Sequence, residues 1–90
     1  EELLSPSLSG SFEMIKSVFA PHSESGGIIQ AREREDGGVL ISGRLNLTIG
    51  ELAIELQPGD SFQFAGRNYS WRNPHQEAAI VIWVISPPVY

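Results

Sequence analysis

The stretch Gly38 to Asp60, GVLISGRLNLTIGELAIELQPGD, constrains this chain more than any other. From Arg44 to Ile49 the apolar residues are Leu45, Leu47 and Ile49, and from Glu51 to Gln57 they are Leu52, Ile54 and Leu56. Successive strand side chains point to opposite faces, so this alternation specifies two strands, each with one buried and one wet face. Gly50 joins them as an antiparallel pair. Gln57-Pro58-Gly59-Asp60 has the composition of a type II turn, with proline presetting the first central φ and glycine accepting a positive second one.

Around this hairpin the chain reads as further strands. Residues 1–11 mix Ser, Pro and Gly with an acidic, apolar start, the composition of a linker or edge segment. Phe12 to Ala20 carries apolar residues on both alternating faces, as expected of a strand covered on both sides or lying at a dimer interface. Pro21 to Gly27 is a loop. Ile28 to Glu35 resumes an extended pattern, and Gly37-Gly38 is expected to break it. Ser61 to Phe64 and Tyr69 to Asn73 flank a loop at 65–68. Asn73 to Gln76 is another turn, with Asn73 expected to fix it through its side chain. Ala78 to Ser86 is a nearly continuous apolar strand, ended by Pro87-Pro88. About eight strands and no helical periodicity predict a small all-β barrel or sandwich.

Ninety residues make one domain. A formal net charge of −5 opposes phosphate backbones and anionic lipid, so direct nucleic-acid binding is not expected. No cysteine is present, which removes disulfide and thiolate chemistry and fits a cytoplasmic location. No apolar run approaches the roughly 18 residues of a membrane span. The start at Glu1 rather than Met is read as a fragment or processed product.

The order of strands and turns resembles the cupin family of small jelly-roll barrels. Gly43 matches the closing glycine of the first cupin motif, which puts Asp36 at its glutamate and Arg32 and Gln30 at its two histidines. In the second motif Gly59 and Asn73 match, and Tyr69 stands where the histidine would be; the motif's proline is replaced near Ala65. The resemblance covers residues 12–90 as the barrel domain. Its PGD turn, WRN tripeptide and closing Ile-Ser-Pro-Pro segment look most like the cupin half of bacterial regulators with a helix-turn-helix ahead of the barrel.

Metal-dependent cupins hold Fe, Mn, Zn or Ni through imidazoles and a carboxylate. Gln30, Arg32, Asp36 and Tyr69 at those positions do not make such a set, because arginine cannot deprotonate to become a ligand. No metal, no cofactor and no catalytic residue is expected. His22 and His75 lie in Pro-flanked loops and read as solvated. If the strands keep the family register, Gln30, Arg32, Asp36, Tyr69 and Trp71 face the interior as a ligand site for a small anion or zwitterion, with Arg32 as its anchor. A second reading has Arg32 paired with Asp36 or Glu35, closing the barrel mouth, and Trp71 packing in the core. The run Arg32 to Asp36 on its own reads as a solvated edge.

The resemblance implies a ligand-sensing, homodimeric domain of a cytoplasmic transcription regulator, reaching DNA through a helix-turn-helix outside this sequence. The alternative is a small metal-dependent enzyme, a dioxygenase or isomerase, with an atypical site.

Overall fold

In the computed structural model, which describes residues 1–7, 9–30 and 33–88, the described chain is strand, turn and loop with no helix. The strands are β1 (Glu2–Leu3), β2 (Glu13–Phe19), β3 (Ser23–Glu24), β4 (Glu35–Ser42), β5 (Leu45–Ile49), β6 (Leu52–Leu56), β7 (Ser61–Ala65), β8 (Tyr69–Asn73) and β9 (Ala79–Ser86). They pair antiparallel in two sheets, ordered β1-β2-β9-β4-β7 and β3-β8-β5-β6. No described ladder joins the two sheets into a closed cylinder.

The central hairpin forms in the expected register, but only β5 buries its whole apolar row; in β6 Leu52 is 63% exposed and Ile54 half-buried, because β6 is the edge of its sheet. Leu45 pairs with Leu56, Leu47 with Ile54 and Ile49 with Leu52, so each apolar row shares one face. Gly50 turns the chain at φ 59°, and the Pro58-Gly59 turn has φ 92° at Gly59 with the Asp60 N–H donating to Gln57 O at 2.9 Å. Leu45 and Leu47 are fully buried against Leu40, Ala79 and Val81 from the other sheet. The inward side of β9 is Ala79, Val81, Trp83 and Ile85; Ile80, Ile82 and Val84 on its other side are half-buried, which accounts for its unbroken apolar run.

Two local expectations fail for identifiable reasons. Gly37-Gly38 does not break a strand: both lie inside β4, paired with Gln63 and Phe62 of β7 and Val84 and Trp83 of β9. Gly38 is needed there because a Cβ would stand 2.6 Å from the Ile82 carbonyl and 2.7 Å from the Phe62 ring. Of the extended segment expected from Ile28 onward, the described residues form a bridge between Ile29 and Tyr69, and Glu33 has φ 61° before β4 begins at Glu35.

Asn73 fixes its turn as expected. Fully buried, its amide donates to the carbonyls of Phe19, Ala20 and Glu77 at 3.1, 3.2 and 2.9 Å, while its oxygen accepts the His75 N–H. His22 is exposed, but His75 is half-buried beneath this turn, so only one of the two histidines is a solvated loop residue.

Candidate functional site

β4 opens with Glu35 outward and Asp36 inward. Strand parity places Asp36 in the interior, where its side chain has no exposure. A carboxylate buried this deeply needs partners for its charge and lone pairs. Arg34, two residues earlier, supplies most of them: Nε donates to Oδ1 at 2.9 Å and Nη2 to Oδ2 at 3.1 Å. Trp83 of β9 completes the set, with Nε1–H donating to Oδ2 at 2.8 Å.

Tyr69, the first residue of β8, faces this group from the other sheet. Its hydroxyl accepts a second bond from Arg34 Nη2 at 3.0 Å. Its ring lies 5.2 Å from Phe64 and 5.6 Å from Trp83, centroid to centroid. Burial raises the phenol pKa above its ordinary value; the Arg34 charge partly opposes the rise and the Asp36 charge adds to it. The hydroxyl therefore keeps its proton.

Beside the network lies a cavity of ≈110 Å3 between the sheets. Its walls are chiefly Ile15, Phe19, Ile29, Tyr69, Trp71 and Ile85. Phe19 and Trp71 meet edge to face at 4.5 Å. A wider, open hollow of ≈600 Å3 lies on the outer side of the four-stranded sheet, over Asn46, Thr48 and Ser70. It is a surface trough, whereas the smaller cavity brings aromatic walls and a polar network together.

Of the five residues expected to line a ligand site, the structure brings Asp36, Tyr69 and Trp71 to the space between the two sheets. Tyr69 and Trp71 line the cavity, and Asp36 forms the ion pair next to it. Gln30 is exposed and away from the cavity lining. Arg32 lies outside the described residues. Two members of the network were missed in the sequence, Arg34 and Trp83. Their signal was parity: Arg34 is two residues from Asp36, and Trp83 alternates with Val81 and Ile85. The charge run at 32–36 is thus not simply a solvated edge, since it contributes a fully buried carboxylate.

The match to known proteins follows the same span. The cupin domain family model matches residues 16–85. The chain belongs to the cupin family. The fold of this cupin is shared with the cupin domain of an XRE family transcriptional regulator from Enterobacter cloacae, at TM-score 0.82 and 22% identity over 98% of this chain and 95% of that one. It is shared with the Schizosaccharomyces pombe Cnp3 cupin domain, at TM-score 0.85 and 15% identity over 96% of this chain and 59% of that one. A recombinant oxalate oxidase in complex with glycolate also matches, at TM-score 0.74 and 17% identity over 86% of this chain and 42% of that one. At these identities the likeness is one of fold, and the cupins that share it include a regulator domain and an enzyme. No curated protein sequence matches this cupin.

The metal that the family implies does not fit the residues of this cupin. Both oxygens of Asp36 are engaged by Arg34 and Trp83, and the guanidinium beside them would repel a cation. Among the described residues, no three His, Cys, Asp or Glu side chains are grouped closely enough to hold an ion.

Proposed function

We propose that this cupin domain is the ligand-sensing and dimerising part of a transcription regulator whose DNA-binding part lies outside this sequence. The observation that carries the reading is the state of Asp36. The carboxylate at the barrel centre is neutralised by Arg34 and capped by Trp83, and an aromatic cavity remains beside it. Among the described residues the interior offers walls and a hydrogen-bonding group but no cluster of metal ligands and no nucleophile–base set, which suits binding better than turnover. The likeness to a regulator's cupin domain over nearly the whole of both chains supports the same reading.

A sensor of this kind works by population shift: a small molecule bound in the barrel favours one arrangement of two copies, and so one spacing of the DNA-reading parts. The outer side of the five-stranded sheet supports the pairing of copies. Val18, 56% exposed, stands there opposite the half-buried Ile80, and Val39 stands opposite Ile82, while Ile41, 52% exposed, lies at the register shift of β4. These residues give the face an apolar, largely β-branched part, bordered by Lys16 opposite Ile82, that a second sheet could cover. With a net charge of −5, contact with DNA falls to the other part of the protein.

Metal analysis of protein purified without chelator tests this against the enzyme alternative. The expected content is far below one transition-metal ion per chain. A stoichiometric ion, lost together with an activity on dialysis against chelator, would overturn the sensor reading.

A further inference from the structure

We infer that the barrel cavity takes a small uncharged cyclic molecule with one hydrogen-bond acceptor, a ring ketone being the simplest case, held by the Tyr69 hydroxyl as donor. This rests on the reading of the interior as a ligand site and narrows the class of ligand.

The charge balance comes first. Arg34, the cation described beside the cavity, has Nε and Nη2 bonded to Asp36 and its charge matched by that fully buried carboxylate. An anion entering the cavity would give up its hydration and meet a pair with no net charge to offer. The expectation of an anionic or zwitterionic ligand rested on Arg32, which lies outside the described residues; among the described residues the cation beside the cavity is Arg34, and its charge is already matched by Asp36.

The polar valence comes second. Tyr69 Oη accepts from Arg34, so one lone pair is used. The hydroxyl hydrogen has no acceptor among the described residues, and burial keeps it on the oxygen. A buried donor without an acceptor is costly, and a ligand carbonyl or ether oxygen would satisfy it. Trp83 cannot play that part, because its N–H is committed to Asp36. Ser17, also on the wall and buried, can add a second hydroxyl contact.

Size and surface come third. The remaining wall is aliphatic and aromatic, and ≈110 Å3 is smaller than the roughly 150 Å3 apolar cavity that admits benzene. A ring of about six heavy atoms is the upper limit for a rigid fit.

The two tryptophans give the readout, since the chain contributes only two indole N–H resonances and both side chains line the cavity. The 90-residue chain, labelled with nitrogen-15, is titrated with cyclopentanone, cyclopentane and cyclopropanecarboxylate, the last matching the ketone in number of heavy atoms. Cyclopentanone is expected to shift both indole resonances saturably, and the carboxylate to need at least about tenfold higher concentration. Tyr69→Phe is expected to weaken cyclopentanone about fivefold while leaving the cyclopentane response unchanged. If none of the three moves the indoles, the ligand-site reading itself falls, and this inference with it. If the carboxylate binds as tightly as the ketone, the site survives and the uncharged class is wrong. If Tyr69→Phe binds the ketone like the parent chain, the donor assignment is wrong. Should that variant not fold, the parent chain decides: a ketone no tighter than cyclopentane overturns the donor.

Discussion

Trp83 Nε1 lies 2.8 Å from Asp36 Oδ2, joining the middle of β9 to the start of β4 on the inward side of the five-stranded sheet. In the ladder Asp36 stands opposite Ile85 and Trp83 opposite Gly38, so the bond is a diagonal one between neighbouring strands. It fixes the indole against the Tyr69 ring and holds the carboxylate toward Arg34. A residue at the sequence position of a metal-binding glutamate thus becomes the centre of an internal ion pair.

Removing one side of that pair should cost far more than removing both. Asp36→Ala leaves the Arg34 guanidinium, 18% exposed, without its counter-charge, and a loss of about 3 kcal/mol in urea unfolding is expected. The double substitution Arg34→Met with Asp36→Leu should recover most of it, because neither charge is then desolvated. Equal losses for single and double variants would mean that the pair is not coupled in the folded protein.

Gly37 and Gly38 should respond differently to the same substitution. Gly38→Ala drives a methyl to 2.6 Å from a β9 backbone oxygen and should cost about 2 kcal/mol. At Gly37 the nearest atom to a Cβ is the Phe62 carbonyl at 3.4 Å, so Gly37→Ala should leave the urea midpoint nearly unchanged. Similar midpoints for the two variants would contradict the close approach of β4 to Phe62 and Ile82.

Tyr69 predicts an alkaline limb in stability. Its folded-state pKa is raised by burial, so the neutral phenol is the form the fold favours. The contribution is full below the unfolded value of about 10 and is lost as pH rises through the folded value. Unfolding midpoints measured across that range should fall for the parent chain and fall less for Tyr69→Phe. Parallel curves would show that this phenol does not carry the effect.

The outer face of the five-stranded sheet gives a test of pairing between copies. Val18→Lys combined with Ile41→Lys places two charges on exposed positions, so the fold should persist with an unchanged far-ultraviolet spectrum. Sedimentation velocity is expected to report a dimer for the parent chain and a monomer for the double variant. A parent chain that is monomeric at high concentration would remove this face from the interface.

The β-alternation of Leu45 to Leu56, the Gly50 and Pro58-Gly59 turns and the Asn73 turn were all legible in the sequence. Each depends on neighbours a few positions apart, where side-chain parity and allowed φ decide the outcome. The same parity, with the family spacing, put Asp36, Tyr69 and Trp71 indoors. Local pattern could not identify the partner of Asp36: Arg32 and Arg34 have the same parity, and which guanidinium reaches a buried carboxylate depends on where β4 begins. Nor could it foresee Trp83, 47 residues away, as the third ligand of that carboxylate.

Gly38 shows the same division. As a residue type, glycine in a strand signals a break, a bulge or a close approach, and sequence alone does not choose among them. The Phe62 ring and the Ile82 carbonyl choose, because they come to rest where a Cβ would be. Alternation and turn chemistry therefore determined that this chain would be a two-sheet β protein. That Asp36 and Arg34 would be buried together, with Trp83 and Tyr69 completing their hydrogen bonds, was decided only when β4, β8 and β9 met, because the low local dielectric makes those bonds strong and their absence costly.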